Sequence, residues 1–393
     1  MAEMVKIDRT YFNENKERME EYLEDFFTER NHSKGTKTTY LSTILQFERI
    51  IGVRLDKIVE IGVEEKQLEW EDTQIRKWLL KYRKYCIANY KESVIDAYVM
   101  KVRTVLDHFR IPLKKLPPYS KKQVRKSEEI DYEDLPDKKI LKRCIELKNP
   151  LLKAMTLFMS STGLSRADTW GLTIRDYLKA TWEYHETYDI QLAIHLMDKS
   201  EVDVIPVFKF PRRKTGETYR TFASPESVKA INNYLLSREN LTLDSRLFDI
   251  SFRYINDLFY KTNEQLGLGR VNGRSRFCPQ MLRVYHATQL AEAGVNDPII
   301  DLLQGRVPKS VSRKSYIKVK RSKLKEEYVK ALPFIVVEDI EEVRTELEVE
   351  KEKNKKYVEI IENIDERIEN KINEAMNNKS EVLNEDDLED LFS

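Results

Sequence analysis

VIPVFKFPRRKTGETYRTFA, residues 204–223, separates this chain from an all-helical one. VIPVFKF (204–210) and TYRTFA (218–223) read as two short strands joined by a turn that contains Gly216. YDIQLAIHL (188–196) reads as a further short strand just before them. On either side the pattern is helical, over 137–161 before the strands and from 225–237 to about residue 332 after them. The expectation is a mainly α chain in which a small antiparallel β-sheet lies inside an α+β domain spanning 137–336.

Upstream, residues 12–110 read as helices. Tyr40, Leu41, Ile44, Leu45, Phe47 and Ile51 fall on one side of a helix. Val94, Tyr98, Val102, Val105 and Phe109 repeat the pattern, with Trp78, Leu79 and Tyr82 in a helical stretch between them. This predicts an all-α module over 1–111. Residues 112–136 carry Pro112, Pro117, Pro118 and Pro136 with little apolar periodicity, and are expected to link the two domains.

The 393 residues hold 68 Lys and Arg against 67 Asp and Glu, a formal net charge of +1 that at first argues against a nucleic-acid partner. The two signs are segregated, however. Residues 337–393 contain 20 acids and 8 bases and end in EDDLEDLFS, so the tail is net −12 and the rest of the chain net +13. Lys101 to Lys126 holds nine bases and one acid, Asp107. Such a run is either a solvated face or a strap along a phosphate backbone, which Lys114, Lys115, Lys121, Lys122, Arg125 and Lys126 would form. In the tail, positions 340, 343, 347, 357, 361, 364, 368 and 375 are apolar in a heptad frame. A coiled-coil-prone helix and a single solvated helix both fit that pattern.

No apolar stretch reaches the ~18 residues that a membrane helix needs, and the N-terminal residues contain no secretory-type apolar segment. Cys86, Cys144 and Cys278 are too scattered for a disulfide framework or a thiolate zinc site, and the five His are equally dispersed. A cytoplasmic chain working without metal or cofactor is the expectation.

Four segments occur in a telling order: TGLSRADTWGL (162–172), RRKTG (212–216), PQMLRVYHATQLAEAGV (279–295) and LLQGRVPKSVSRKSY (302–316). Together they resemble the catalytic domain of the tyrosine recombinases, the phage-integrase family, over roughly residues 137–330. The helical module and basic linker are similar to that family's core-binding domain in position and character. The ending G-R-x-P-x-S-V-x-x-x-x-Y looks most like that of the archaeal plasmid and virus integrases.

The resemblance implies a set of site residues. Arg166 matches the family's first Arg, displaced by one step because Ser165 follows the TGL. Asp168 matches an acidic residue that orients this region, Lys214 the hairpin Lys, Arg283 the second Arg, and Tyr316 the nucleophile. Two positions depart from the family pattern. Gln280 stands where His is usual, and Arg306 where His or Trp is common, so the site is richer in fixed charge and poorer in acid–base groups. Arg212 and Arg213 on the hairpin are expected to contact DNA. Tyr328 is a rival nucleophile. His286, one turn past Arg283, is either a substitute acid–base group or a core residue, and Trp170 and Trp182 are read as packing.

These residue types suit phosphodiester chemistry without a metal. Arginines can present paired N–H donors to the nonbridging oxygens of a pentacoordinate transition state. A tyrosine can form a 3′-phosphotyrosyl link that stores the bond energy, so no ATP is needed, and a lysine can protonate the leaving 5′ oxygen. The implied partner is double-stranded DNA, with self-association as a dimer or tetramer on it, in integration, transposition or excision of a mobile element. The segment 322–333, with Leu324, Tyr328 and Leu332 on one face, is expected to dock on a neighbouring protomer. Three other readings stay open: a type IB topoisomerase-like relaxing enzyme, a catalytically silent DNA-binding relative, and an architectural protein assembled through its tail.

Overall fold

A computed structural model describes residues 9–120, 124, 131–212, 216, 218–306 and 320–338. The chain divides into two compact units, 1–129 and 130–393.

The N-terminal unit is built from helices α1 (Arg9–Tyr22), α2 (Glu24–Glu29), α3 (Lys34–Ile51), α4 (Leu55–Glu64), α5 (Gln74–Asn89) and α6 (Glu92–His108). Ser33 caps α3 by accepting from the Thr36 N–H, and Gly52 ends it in the left-handed conformation at φ 81°. The predicted face of α3 is buried through Leu41, Ile44, Leu45, Phe47 and Ile51. Its Glu48, itself buried, pairs with Arg18 of α1 at 2.7 Å and accepts from the Leu55 N–H at 2.6 Å, so one carboxylate ties three helices together. The stretch after α6 does not run free. Ile111 and Val124 are buried in this unit's core, and Leu113, Leu116 and Tyr119 pack on it. Arg83 donates to the Pro117 carbonyl at 2.6 Å and stacks 5.3 Å from the Tyr119 ring.

The second unit is arranged around α8 (Pro150–Thr162), whose buried residues run without a break from Ala154 to Thr162. Asn149 caps it, Pro150 supplies a preset φ at its first turn, and Gly163 ends it. Around it lie α7 (Lys138–Ile145), α9 (Arg166–Gly171), α10 (Ile174–Ala180), α11 (Ile190–Asp198), α12 (Pro225–Leu236), α13 (Phe252–Gln265), α14 (Pro279–Glu292), α15 (Asp297–Leu303) and α16 (Arg321–Ile335). Strands β1 (Val207–Pro211) and β2 (Thr218–Phe222) pair antiparallel, with Val207 opposite Phe222 and Pro211 opposite Thr218. Residues 270–271 and 274–275 form a second, minimal hairpin. Its turn is Asn272-Gly273, both at positive φ, as a tight two-residue hairpin requires.

Three expectations are corrected. YDIQLAIHL is not a strand: Asp189 caps the Leu192 N–H and α11 runs through it, burying Ala193, Ile194 and Met197. Its alternating Ile and Leu imitate a strand, but the residue types are mostly helix formers and the capping Asp precedes them. Leu324, Tyr328 and Leu332 do not form a free docking face, because α16 packs them into its own domain with Phe222, Leu290 and Ile299. Trp182 is 38 % exposed, its ring 4.9 Å from that of Tyr188. Trp170 does pack, donating to the Ile250 carbonyl at 3.0 Å beneath the Arg246 guanidinium. The tail heptads lie outside the described residues. Its first residues are held, since the buried Glu226 carboxylate accepts from the Val337 and Glu338 N–H groups.

Candidate active site

The C-terminal end of α8 is the floor of the site. Gly163 adopts φ 62°, and a Cβ there would collide with the His286 ring, so both conformation and space demand glycine. The freed Gly163 carbonyl accepts a 2.5 Å hydrogen bond from Arg283 on α14, and the other terminal nitrogen of Arg283 donates to the Gln304 carbonyl at 2.5 Å. Arg283 is thereby fixed between two segments that the sequence separates by 120 and 21 residues.

Gln304 is fully buried and completes the clamp. Its Nε2 donates to the Arg283 carbonyl at 2.9 Å and lies 3.0 Å from His286 Nδ1. An amide nitrogen can only donate, so Nδ1 is the acceptor and the ring is neutral. Burial, followed by the Arg283 and Arg306 charges, pushes the His286 pKa down to about 3. His286 therefore acts as a buried spacer rather than as the missing acid–base group.

The hairpin closes one side. Thr221 donates to the Thr162 carbonyl at 2.7 Å, which pins β2 to the end of α8. The Tyr219 ring packs where a Cβ on Gly305, at φ 62°, would come within 2.8 Å. The Gly305 carbonyl accepts from Arg212 at 3.0 Å. Burial lowers the Arg283 pKa to about 10, and the nearby Arg306 and Arg212 push the same way while Tyr219 and Asp168 oppose them. A value of about 10 still leaves Arg283 cationic at neutral pH. Arg306 lies nearer the surface, 3.8 Å from Asp301.

Arg283, Arg306 and Arg212 thus gather with Asp168 and Tyr219. The Arg166 side chain is held differently. Ser165 caps α9 and donates to Asp168 at 2.7 Å, while Arg166, the first residue of the helix, lays its guanidinium 4.1 Å from the Phe252 ring. Gln280 is exposed in the first turn of α14. Tyr328 is fully buried and donates to the Ser161 carbonyl at 3.0 Å, which removes it as a rival nucleophile. Lys114 is exposed and pairs with Glu69 at 3.3 Å, and Lys115 is exposed. Lys121, Lys122, Arg125, Lys126, Arg213, Lys214 and Tyr316 lie outside the described residues.

Three members of the cluster carry roles that sequence reading missed. Arg212, expected to touch DNA, holds the Gly305 carbonyl and adds its charge to that of Arg283; Gln304 bridges Arg283 and His286; Tyr219 walls the site. The signals were faint: Gln304 stands next to the Gly-Arg pair, and Tyr219 shares a strand face with Thr221. Chemically, the cluster sets three cations, Arg212, Arg283 and Arg306, against two acids, Asp168 and Asp301, a net positive arrangement suited to a multi-oxygen anion such as phosphate. Among the described residues, no group of three His, Cys, Asp or Glu is placed to hold a metal, and no helix is long and apolar enough to cross a membrane.

No family model and no curated protein matches the chain. Solved structures similar to it include a complex of the Tn1549 transposon integrase with circular intermediate DNA, at 11% identity and a TM-score of 0.46, covering 78% of this chain and 97% of that one. The XerH site-specific recombinase bound to its difH substrate is similar at 13% identity and a TM-score of 0.45, covering 83% and 90%. XerA recombinase is similar at 17% identity and a TM-score of 0.30, covering 82% and 98%.

Proposed function

We propose that this chain is a site-specific DNA recombinase of the tyrosine type, cleaving and rejoining strands of duplex DNA for a mobile element. One observation carries the reading. Arg283 is a buried guanidinium locked onto the Gly163 and Gln304 carbonyls with Arg212 and Arg306 beside it, so segments in the order of the recombinase motifs converge on one cationic centre. Holding like charges together in a low-dielectric site is costly unless an anion completes it.

In this mechanism the arginines grip the nonbridging oxygens of the scissile phosphate. Arg283 and Arg212 are already held on backbone carbonyls, so little reorganisation of their donors is needed as negative charge develops on phosphorus. The Tyr316 phenol releases its proton to solvent as its oxygen bonds to phosphorus, the bond from phosphorus to the 5′ oxygen breaks, and Lys214 gives that oxygen a proton. The product is a 3′-phosphotyrosyl link and a free 5′-hydroxyl. The hydroxyl of another strand reverses the step, losing its proton as it displaces the tyrosine. Neither a metal nor ATP enters the balance. The basic run from Lys101 to Lys126 would add further phosphate contacts, making binding fall steeply with salt.

The test is a suicide duplex carrying the element's junction sequence. A denaturation-resistant protein–DNA adduct is expected with the native chain and none with Tyr316→Phe. An adduct that persists in Tyr316→Phe would overturn the assignment. Relaxation of supercoiled plasmid lacking any such site would indicate topoisomerase activity instead.

A further inference from the structure

The β1–β2 hairpin has two faces. Tyr219 and Thr221 turn toward the cationic centre, and strand alternation turns Lys209 and Arg220, which sit directly opposite each other, to the other side. We propose that this outer face carries a second binding site, for a nucleoside phosphate, in which the packed Trp182–Tyr188 pair offers Trp182 for the base to stack on and Lys179, Lys209, Arg220 and Arg321 hold the phosphates.

The six residues line a cavity of about 590 Å³, a volume suited to a nucleotide. Two like charges placed directly across an antiparallel pair repel, and such a pair is unfavourable without a counter-charge. Among the described residues, none of Lys179, Lys209 and Arg220 forms an ion pair. The single acid in the lining, Glu183, is engaged by Lys325 at 2.8 Å and Arg321 at 3.3 Å, and these bonds hold its carboxyl below the usual range. The cavity is therefore net cationic before anything enters it. Beside the cations stand two exposed rings, Trp182 at 38 % and Tyr188 at 42 %, with centroids 4.9 Å apart. Exposed aromatic faces next to phosphate-binding cations are what a base with its phosphate requires. A carboxylate-bearing peptide would use the cations and leave the ring faces without a planar partner. The inference does not depend on strand cleavage, because it concerns the face of the hairpin turned away from Arg283.

The nucleoside phosphate can be a free nucleotide or an unpaired residue of a strand, and titration calorimetry on the full chain separates them. ATP is expected to bind saturably at one site, and inorganic triphosphate about tenfold more weakly for want of a base to stack. Trp182→Ala and Arg220→Glu, both at surface positions, should each weaken ATP binding about tenfold or more. Short oligothymidylate that displaces ATP would assign the site to a strand; failure to displace it would assign the site to free nucleotide. Triphosphate binding as tightly as ATP, unchanged affinity in both variants, or no binding of either ATP or oligothymidylate would overturn the proposal. So would binding of the peptide EDDLEDLFS in place of both, which would give the cavity to the chain's own C-terminal segment. ATP binding by a chain that forms no covalent adduct would support this site and count against the cleavage reading alone.

Discussion

Arg283 and Arg166 are the two arginines that the motifs single out, and the fold treats them in opposite ways. Arg283 is 5 % exposed and locked by two carbonyls, a bridging glutamine and a positive-φ glycine. Arg166 begins a six-residue helix, is half-buried, and rests on the face of one phenylalanine. The first is held by backbone, which a neighbouring substitution cannot easily remove. The second is held by a side chain, which a single substitution can remove. A residue's place in a motif thus says little about how rigidly the protein presents it.

The largest effects should come from removing either arginine. Arg283→Ala and Arg166→Ala are each expected to lower the rate of adduct formation by about 10²–10³-fold, the usual loss when a cationic donor to a developing oxyanion is removed. Their stabilities should diverge. Arg283→Ala leaves the Gly163 and Gln304 carbonyls unpaired inside the protein and should cost about 1–3 kcal/mol in urea unfolding. Arg166→Ala gives up only a partly exposed cation–π contact, a loss of under about 1 kcal/mol. Equal destabilisation by the two would break the contrast.

A smaller effect probes the floor beneath Arg283. Gly52 and Gly163 both end helices in the left-handed conformation, but only at Gly163 would a Cβ strike another group, the His286 ring. Gly52→Ala should cost about 1 kcal/mol, the backbone penalty alone. Gly163→Ala should cost about 2–3 kcal/mol and should also slow adduct formation, because the carbonyl that orients Arg283 moves with it. Comparable losses at the two glycines would show that the His286 contact imposes no constraint.

The burial of His286 also predicts a pH dependence. Its pKa is about 3 in the folded chain against 6.5 when unconstrained. Between those values the unfolded chain binds a proton that the folded one cannot. Stability should therefore fall as pH drops from 6.5 toward 3, by up to ~1.4 kcal/mol per pH unit, with no contribution above 6.5. His286→Phe, of similar size and without the proton, should flatten that part of the profile relative to the native chain. Identical slopes would mean that His286 is not held neutral.

Much of the fold is legible in the sequence. The amphipathic helices, the hairpin and the four motif segments could be read from spacing and residue type, because apolar periodicity and turn glycines act locally. Other features depended on distant partners. Leu192 and Leu196 imitate a strand in sequence, and the packing of Ala193, Ile194 and Met197 decides for the helix that the Asp189 cap starts. Leu324, Tyr328 and Leu332 read as a docking face because an apolar stripe does not say whether its cover is the same domain or another chain; here it is the same domain. Gln304 has only its place beside Gly305 and Arg306 as a signature. A lone glutamine becomes a bridge only because Gly163, Arg283 and His286 arrive beside it from elsewhere.

The finest test of the contrast lies at Phe252. If the ring merely steadies a mobile Arg166, Phe252→Ala should slow adduct formation by only about two- to fivefold, in line with a cation–π contact of about 0.5–1 kcal/mol. Phe252→Trp, with a stronger ring face, should restore the rate. The loss in Arg283→Ala should add to that of Phe252→Ala, since Arg283 is held by the Gly163 and Gln304 carbonyls and Arg166 by the Phe252 ring. A loss as deep as that of Arg166→Ala would mean that the ring is as strict a holder as the carbonyls around Arg283. No loss would mean that Arg166 leaves the ring before it acts, so that binding of the phosphate, rather than the fold, gives this arginine its working position.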